Sequence, residues 1–301
     1  NMIAFLGAFH GRTYGSMTLS ASKAQHKTRF SPLVPGVLHV PYGYCFRCAH
    51  EADYPQCDMK CVEFIEYEIL EKLSIPEEVA GIIAEPIQGE GGYIVPPREF
   101  HKRLEKICKD NGILFIADEV QTGFGRSGKM FASEIFGVTP DIISLAKGIA
   151  GGIPMGACVA RKEIMSWPKG AHASTFAGNP IACAASIASI DFIIRERLWE
   201  NAEKMGEFGL KFLKDLKDEV PLIGDVRGLG LMLAIELVKD PKSKEPASGE
   251  RDKALMKAFE SGILLLGGGS STLRIAPPLV IDEEEFEKGL QILREVLIKV
   301  G

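Results

Sequence analysis

The sequence has no apolar stretch approaching the roughly 20 residues that a bilayer-spanning helix needs, and nothing in it has the form of a signal peptide. It also lacks a basic cluster, because its lysines and arginines are scattered and its formal net charge is -5. This distribution argues against a nucleic-acid-binding surface and against a membrane-surface patch. We therefore expect a cytoplasmic protein that binds a small, anionic metabolite.

Two further features concern motifs and the start of the chain. No G-x-G-x-x-G motif opens a helix after the first strand-like run, so the glycines at Gly267–Gly269 make dinucleotide binding only a weak alternative. The strand-like run itself occupies Asn1–Gly7. We interpret this as a chain that begins inside a domain, with an N-terminal portion missing.

The composition is that of an ordinary globular protein, with 301 residues of which 46% are hydrophobic and 25% charged. Short β-branched runs alternate with segments of helical period such as Glu99–Asn111 and Lys129–Phe136. Continuous hydrophobicity within the runs predicts an α/β fold, with a mainly parallel sheet covered by helices on both faces. The predicted strands are Val37–Val40, Val79–Ala84, Ile113–Ala117, Ile142–Leu145 and Gly156–Ala160.

The pattern changes after two predicted long helices at Ile181–Arg197 and Asn201–Glu219. Beyond them lie a flexible loop at Lys242–Glu250, a strand at Gly262–Leu266, and a closing amphipathic helix, Asp282–Val300, capped by Asp282. We therefore predict a large domain at 1–220 and a smaller α+β domain at 221–301.

Lys147 stands out because it ends an apolar run and is followed by small residues, in Leu145-Ala-Lys-Gly-Ile-Ala-Gly-Gly152. An amine in such surroundings is partly desolvated and can become a nucleophile, and the small residues let a flat ligand approach. The alternative is a lysine at a strand end that extends its ammonium to solvent.

Asp118 ends the run Gly112-Ile-Leu-Phe-Ile-Ala-Asp118, at the tip of a predicted strand, and Lys147 follows it by 29 residues. That interval is one crossover unit, so both side chains are expected at the same edge of the sheet, where ligands of such folds bind. A lysine and a carboxylate there suit pyridoxal phosphate, with Lys147 as the Schiff-base amine and Asp118 beside the pyridine nitrogen. Alone, Asp118 could equally be a cap or an ion-pair partner.

Five motifs, the last of them near the C-terminus, resemble those of the class III pyridoxal-phosphate aminotransferases and occur in the same order. This family includes the 4-aminobutyrate, ornithine and acetylornithine enzymes. The motifs are Ala84-Glu-Pro-Ile-Gln-Gly-Glu-Gly-Gly92, Phe115-Ile-Ala-Asp-Glu-Val-Gln-Thr-Gly-Phe-Gly-Arg-Ser-Gly128, Pro140-Asp-Ile-Ile-Ser-Leu-Ala-Lys-Gly148, Ser174-Thr-Phe-Ala-Gly-Asn-Pro180 and Leu273-Arg-Ile-Ala-Pro-Pro-Leu279. The resemblance runs over essentially the whole chain and implies fold type I.

The resemblance also implies roles at the cofactor. It gives Lys147 and Asp118 the catalytic roles already described, and Gln121 a hydrogen bond near the phenolic oxygen of the cofactor. Phe9, in the motif that also contains His10, matches the ring stacked on the cofactor. Gln121 could instead cap a turn and Phe9 could be core.

Thr175 matches the hydroxyl that reaches the cofactor phosphate of a neighbouring subunit. The resemblance therefore implies a homodimer or a larger homo-oligomer.

On the substrate side the resemblance implies three charged residues. Arg12 matches an arginine that binds a substrate carboxylate, although a surface arginine is the simpler interpretation. Arg274 matches the arginine that receives the α-carboxylate of 2-oxoglutarate or glutamate, and Glu90 matches a glutamate that pairs with it when an ω-amino donor is bound. A buried guanidinium needs a counter-charge in both half-reactions.

One motif expected from the resemblance is absent. The Gly-Ser/Thr-Glu-Ala phosphate cradle does not occur in this sequence, and we expect it upstream of Asn1.

Four cysteines, Cys45, Cys48, Cys57 and Cys61, have the spacing C-x2-C followed after eight residues by C-x3-C. This spacing resembles that of zinc ligands. A disulfide, in a hyperthermophile host, and free thiols are the alternatives.

The residues and the resemblance together predict ping-pong transamination from an ω-amino donor, such as 4-aminobutyrate, ornithine or acetylornithine, to 2-oxoglutarate. A racemase or aminomutase on the same scaffold is the alternative, because the same lysine and aspartate generate the same carbanion. A more remote alternative is a non-catalytic binding protein that is stabilised by a metal ion bound to the four cysteines.

Overall fold

The computed structural model describes all 301 residues and contains two separate sheets. The first is six-stranded with the order β2-β1-β3-β4-β5-β6, in which β6 alone is antiparallel to its neighbour. Its strands are β1 (Met2–Phe5), β2 (Val37–Val40), β3 (Gly81–Ala84), β4 (Leu114–Asp118), β5 (Ile142–Leu145) and β6 (Ala157–Ala160). The α/β fold with a mainly parallel sheet is confirmed.

Helices pack on this sheet and bury its apolar runs. The helices before the second sheet are α1 (Tyr14–Leu19), α2 (Lys60–Phe64), α3 (Phe100–Asn111), α4 (Ala132–Phe136), α5 (Pro180–Arg195) and α6 (Leu198–Glu219). The chain continues from α2 as a π-helical turn at Ile65–Ile69. Phe5, Phe100 and Leu104 are fully buried in a core shared by the sheet, α2 and α3.

Helix boundaries follow local chemistry. The predicted helix Glu99–Asn111 is confirmed as α3, which ends where Gly112 adopts φ 68°, a left-handed conformation that glycine adopts without a steric penalty. The predicted helix Lys129–Phe136 is shorter than expected, because α4 begins only at Ala132. None of the helices combines the length and the apolar character that crossing a bilayer requires.

The second sheet is antiparallel, with the order β7-β8-β10-β9. Its strands and the helices beside it are β7 (Ile223–Leu229), β8 (Met232–Leu237), α7 (Ser248–Glu260), β9 (Leu266–Gly268), β10 (Thr272–Ile275) and α8 (Glu283–Val300). A second core lies between this sheet, α6 and α8. The division into domains at 220/221 stays a prediction, and α6 packs its apolar face in this second core.

Two predictions in this region are wrong. The strand predicted at Gly262–Leu266 lies at Leu266–Gly268, where the absence of a Cβ at Gly268 lets it pack close to the Arg274 side chain and to Gly92. The predicted loop Lys242–Glu250 is too long, because α7 begins at Ser248.

Arg227 joins the second sheet to the first. Its guanidinium donates hydrogen bonds to the carbonyl oxygens of Gly92 at 2.7 Å and Tyr93 at 3.1 Å, in the loop that follows β3. It also pairs with Glu236 at 2.8 Å, and Glu236 is buried. These contacts fix the loop that carries Glu90 against β7 and β8, and β8 pairs with β10, which carries Arg274.

The N-terminus of α8 provides a test of stability. The Asp282 carboxylate accepts a hydrogen bond of 2.8 Å from the Glu285 backbone N–H, which satisfies one free donor of the first turn. We predict that Asp282→Ala lowers the free energy of unfolding by about 1 kcal/mol. Urea denaturation of that variant and of Glu287→Ala, an exposed control on the same helix, measures the effect. Equal losses in both variants would contradict it.

Candidate active site

The site lies where β4 and β5 end side by side. Asp118 is the last residue of β4 and pairs in register with Ser144 of β5, and Lys147 comes two residues after the end of β5. The structure therefore places Asp118 and Lys147 at the same sheet edge, as their spacing predicts. Lys147 has φ 48°, in the left-handed region that side chains other than glycine seldom adopt. Such strain is common at functional sites.

Asp118 is buried and held by two hydrogen bonds. Its Oδ2 accepts one from His10 Nδ1 at 2.7 Å, and its Oδ1 accepts one from the Val120 backbone N–H at 3.1 Å. Because the carboxylate accepts, the proton of His10 lies on Nδ1. The other ring nitrogen, His10 Nε2, is buried without a protein partner.

Glu85 is a buried acid that the sequence reasoning missed. It follows β3 directly, and its carboxylate accepts hydrogen bonds from the backbone N–H groups of Phe9 at 2.8 Å and Gly89 at 2.7 Å. Burial raises the pKa of Glu85 to about 7; His10 opposes this shift and the charge of Asp118 adds to it. The signal was available, because Glu85 ends an apolar run just as Asp118 does.

The Lys147 amine faces these acids. Desolvation lowers the pKa of Lys147 from its ordinary value, while the negative charges of Glu85 and Asp118 act in the opposite direction. Lys147 and Gln121 both line a cavity of about 370 Å³. The site thus combines a partly desolvated amine that lines a cavity with two buried acids whose charges act on that amine.

Phe9 and Arg12 lie together on the segment that follows β1, which Glu85 binds through the Phe9 backbone N–H. The Phe9 ring meets the His26 ring edge-on with centroids 5.4 Å apart, and the Arg12 guanidinium lies 5.5 Å from the Phe9 centroid. Arg12 is exposed and forms no ion pair with a carboxylate of the chain. His26, a second residue that the sequence reasoning missed, is buried.

Glu90 lies between two cations. Its Oε2 is 3.3 Å from Arg274 Nη2, and its Oε1 accepts a hydrogen bond of 2.7 Å from Lys23 Nζ. The Arg274 guanidinium lies 5.5 Å from the Tyr93 ring centroid, and its Nε is buried without a partner. The structure therefore brings Glu90 and Arg274 together, and it adds Lys23, which the sequence reasoning missed.

Thr175 lies apart from these residues. It is exposed between β6 and α5, and within this protomer no hydrogen bond joins it to the cleft. Its predicted role toward a neighbouring subunit stays a prediction.

The four clustered cysteines line one small cavity of about 20 Å³. None forms a disulfide, and no three His, Cys, Asp or Glu side chains gather in a way that could hold a metal ion. Burial raises the pKa of Cys45, and burial with the neighbouring thiols raises the pKa of Cys61 to about 12. The choice between zinc, a disulfide and free thiols stays a prediction.

A lysine at a strand end, opposite a buried aspartate that is hydrogen-bonded to histidine, is the arrangement of a pyridoxal-phosphate enzyme. The sequence profile of the aminotransferase class-III family matches residues 1–297, and the chain belongs to this family. The chain is therefore an enzyme with pyridoxal phosphate as its cofactor, which confirms the cofactor prediction and replaces the non-catalytic alternative.

The relatives include both racemases and aminotransferases. The leucine/methionine racemase of Thermococcus litoralis is 41% identical over 99% of this chain and 67% of its own length. The 4-aminobutyrate aminotransferase of Mycobacterium leprae is 40% identical over 98% of this chain and 67% of its own length. The chain thus spans about two thirds of the length of these relatives.

A solved structure confirms the fold-type-I prediction. A PLP-bound amine transaminase from an uncultivated Pseudomonas species superposes with a TM-score of 0.94 at 33% identity, over 100% of this chain and 70% of its own.

The residues present fit the cofactor. Asp118 is a buried acceptor fixed by two donors, Lys147 offers an amine of lowered pKa, and His10 Nε2 is an orphaned buried nitrogen. This chain supplies those groups at one sheet edge, which is where a flat heteroaromatic cofactor with a basic nitrogen and an aldehyde needs them.

The effect of the Glu85 charge on the pKa of Lys147 gives a prediction. Above pH 7 Glu85 is largely ionised and stabilises the ammonium, so Glu85→Gln lowers the pKa of Lys147 further. The pH profile of Lys147 acetylation by acetic anhydride in cofactor-free protein, read by mass spectrometry, measures it. Glu207→Gln, an exposed change on α6, serves as the control. An unchanged or raised midpoint would contradict the assignment.

The cysteine cluster gives another prediction. At pH 8 without reductant we expect iodoacetamide to modify exposed Cys45 roughly tenfold faster than buried Cys61, whose pKa is about 12. Peptide mass spectrometry follows both sites. Protection of both thiols that a chelator relieves would establish the zinc alternative, and protection that a reductant relieves would establish a disulfide.

Proposed function

We propose that the enzyme transfers an amino group from an ω-amino donor to 2-oxoglutarate in two half-reactions, with 4-aminobutyrate favoured over ornithine or acetylornithine as donor. The observation that carries this proposal is the pair formed by Glu90 and Arg274, at 3.3 Å. When the donor is bound, it has no carboxylate beside the partly buried arginine, and the acid supplies the negative charge instead. When the oxo acid is bound, its own carboxylate occupies that position, so one subsite accepts both substrates.

Pyridoxal phosphate, when bound, delocalises the electron pair left on the substrate carbon after the proton is removed. Asp118 would hold a proton on the ring nitrogen, and His10 keeps the Asp118 carboxylate in place through its Nδ1–H donor. Lys147 would hold the cofactor through its amine, and Phe9 and Gln121 would contact it.

The Lys147 amine is the group that would move the proton. Its lowered pKa increases the fraction of free amine near neutral pH, and a free amine can accept a proton from the substrate carbon and return it elsewhere. Glu85 and Asp118 face the same amine, so the ammonium that results is stabilised by adjacent negative charge. This balance suits a residue that must both take and give a proton.

The substrate subsite follows from the charges at Arg274. A guanidinium that is mostly removed from water is costly without a counter-ion, and here Glu90 provides one. When the α-carboxylate of 2-oxoglutarate arrives, it replaces Glu90 as the partner of Arg274. Arg12, which has no carboxylate partner, is free to bind the distal carboxylate of either substrate.

Racemisation of an amino acid is the second candidate. It is supported by relatives such as the alanine/serine racemase of Pyrococcus horikoshii, 40% identical over 98% of this chain and 63% of its own length. A racemase binds one class of substrate, amino acids, so its carboxylate subsite has to accept only that class. The Glu90 carboxylate would then compete with the substrate in every turnover, and we therefore favour transamination.

A homodimer is also part of the proposal. Helix α5 is apolar on several sides, yet Ile181, Ile187 and Ile194 are more than half exposed, and nearby Phe176 is 80% exposed. Contiguous apolar surface of this kind marks an interface with another chain. A second copy that covers α5 would bring its Thr175 segment, which is next to Phe176, toward the cleft.

Single-turnover spectroscopy tests the reaction. We predict that 4-aminobutyrate converts the visible absorbance of the cofactor-loaded enzyme to that of its amino form, and that 2-oxoglutarate restores it. Lys147→Ala abolishes both changes. Incubation of single amino-acid enantiomers without an oxo acid, followed by chiral chromatography, tests the second candidate. Racemisation with no response to any ω-amino donor would overturn the proposal.

A further inference from the structure

We propose that Lys23 is a positioning residue that holds the Glu90 carboxylate partly off Arg274 and so favours entry of a substrate carboxylate. The proposal rests on the proposed function, because it concerns the same subsite. It assigns a specificity role to a residue on the segment between α1 and the 3-10 turn Ala24–His26.

The distances show which cation holds Glu90. Lys23 Nζ donates a hydrogen bond of 2.7 Å to Oε1, whereas Arg274 Nη2 lies 3.3 Å from Oε2. The side chains are 32% exposed for Lys23, 19% for Glu90 and 10% for Arg274. Glu90 therefore has its closest contact with the cation that is nearer to solvent.

Arg274 keeps unused donors as a result. Its Nη1 makes only a long contact of 3.4 Å to the carbonyl oxygen of Gly89, and its buried Nε has no partner. A planar guanidinium with free donors is prepared for a bidentate carboxylate. A Glu90 carboxylate held tightly on Arg274 would occupy these donors.

Lys23 also gives Glu90 a partner once it has been displaced. Without it, a carboxylate that leaves Arg274 would remain partly buried and lose its counter-ion, which raises the cost of substrate entry. Lys23 lines a cavity of about 340 Å³, so its side chain has room to move.

Arg12 and the buried His26 lie near this pair. Burial lowers the pKa of His26 from its ordinary value, the positive charges of Arg12 and Lys23 lower it further, and the charge of Glu90 raises it. The cluster thus has more cationic than anionic side chains. A substrate carboxylate restores the balance, and this is consistent with a subsite that is prepared to bind an anion.

Steady-state and half-reaction kinetics of Lys23→Met test the role. We expect KM for 2-oxoglutarate to rise roughly five- to tenfold with kcat changed less than about twofold, while the half-reaction with 4-aminobutyrate stays within about twofold. Lys23→Arg restores the KM. Lys27→Met is the matched control, because its Nζ donates to the Thr18 carbonyl oxygen at 3.1 Å and contacts no carboxylate.

A double-mutant cycle with Glu90→Gln identifies the route of the effect. If Lys23 acts through Glu90, Lys23→Met changes KM for 2-oxoglutarate by less than about twofold in the Glu90→Gln background. An undiminished effect in that background, or equal changes in both half-reactions, would overturn the proposal.

Binding of glutarate, an unreactive dicarboxylate, separates this inference from the proposed function. Calorimetry with the cofactor-loaded enzyme should show a dissociation constant raised roughly five- to tenfold in Lys23→Met and unchanged in Lys27→Met. Weakened glutarate binding without amino transfer by the unmodified enzyme would refute the proposed function and retain the role of Lys23. Unchanged glutarate binding would refute the role of Lys23 alone.

Discussion

The hydrogen bond between His10 and Asp118 is the contact on which the geometry of the site depends. It joins the segment after β1 to the end of β4, across the intervening strand β3. Glu85, from the end of β3, binds the same segment through the Phe9 backbone N–H. Three strand ends thereby fix one short segment, which carries Phe9 and Arg12. The parallel sheet matters here because it brings these ends to one edge.

Charge is balanced separately in two neighbouring clusters. Around the cofactor position, Asp118 and Glu85 face the Lys147 amine, and the raised pKa of Glu85 reflects how costly a second buried carboxylate is beside the first. Around the substrate position, Glu90 serves Arg274 and Lys23 together. The first cluster is suited to proton transfer and the second to exchange of one anion for another. Arg227 holds the loop between the two clusters and so fixes their positions relative to each other. It takes no part in the chemistry of either cluster.

The sequence predicts the first sheet well because its strands are short, largely apolar runs, of which β3 is buried throughout. It also predicts that Asp118 and Lys147 lie at one sheet edge, since strand ends and crossover lengths are visible in the sequence. Lys23 and His26 were not predictable in this way, because they lie in an irregular segment that only the folded chain brings to Glu90 and Phe9. The strand at Leu266–Gly268 was misplaced because glycine-rich close packing carries no hydrophobic signal.

The left-handed backbone at Lys147 has a consequence for how this position evolves. A side chain there costs on the order of 1 kcal/mol in strain that a glycine would avoid. Drift toward greater stability therefore pushes this position toward glycine, while the chemistry permits only lysine. The position is one where selection for activity opposes selection for stability, and descendants that lost the activity would be the first to lose the lysine.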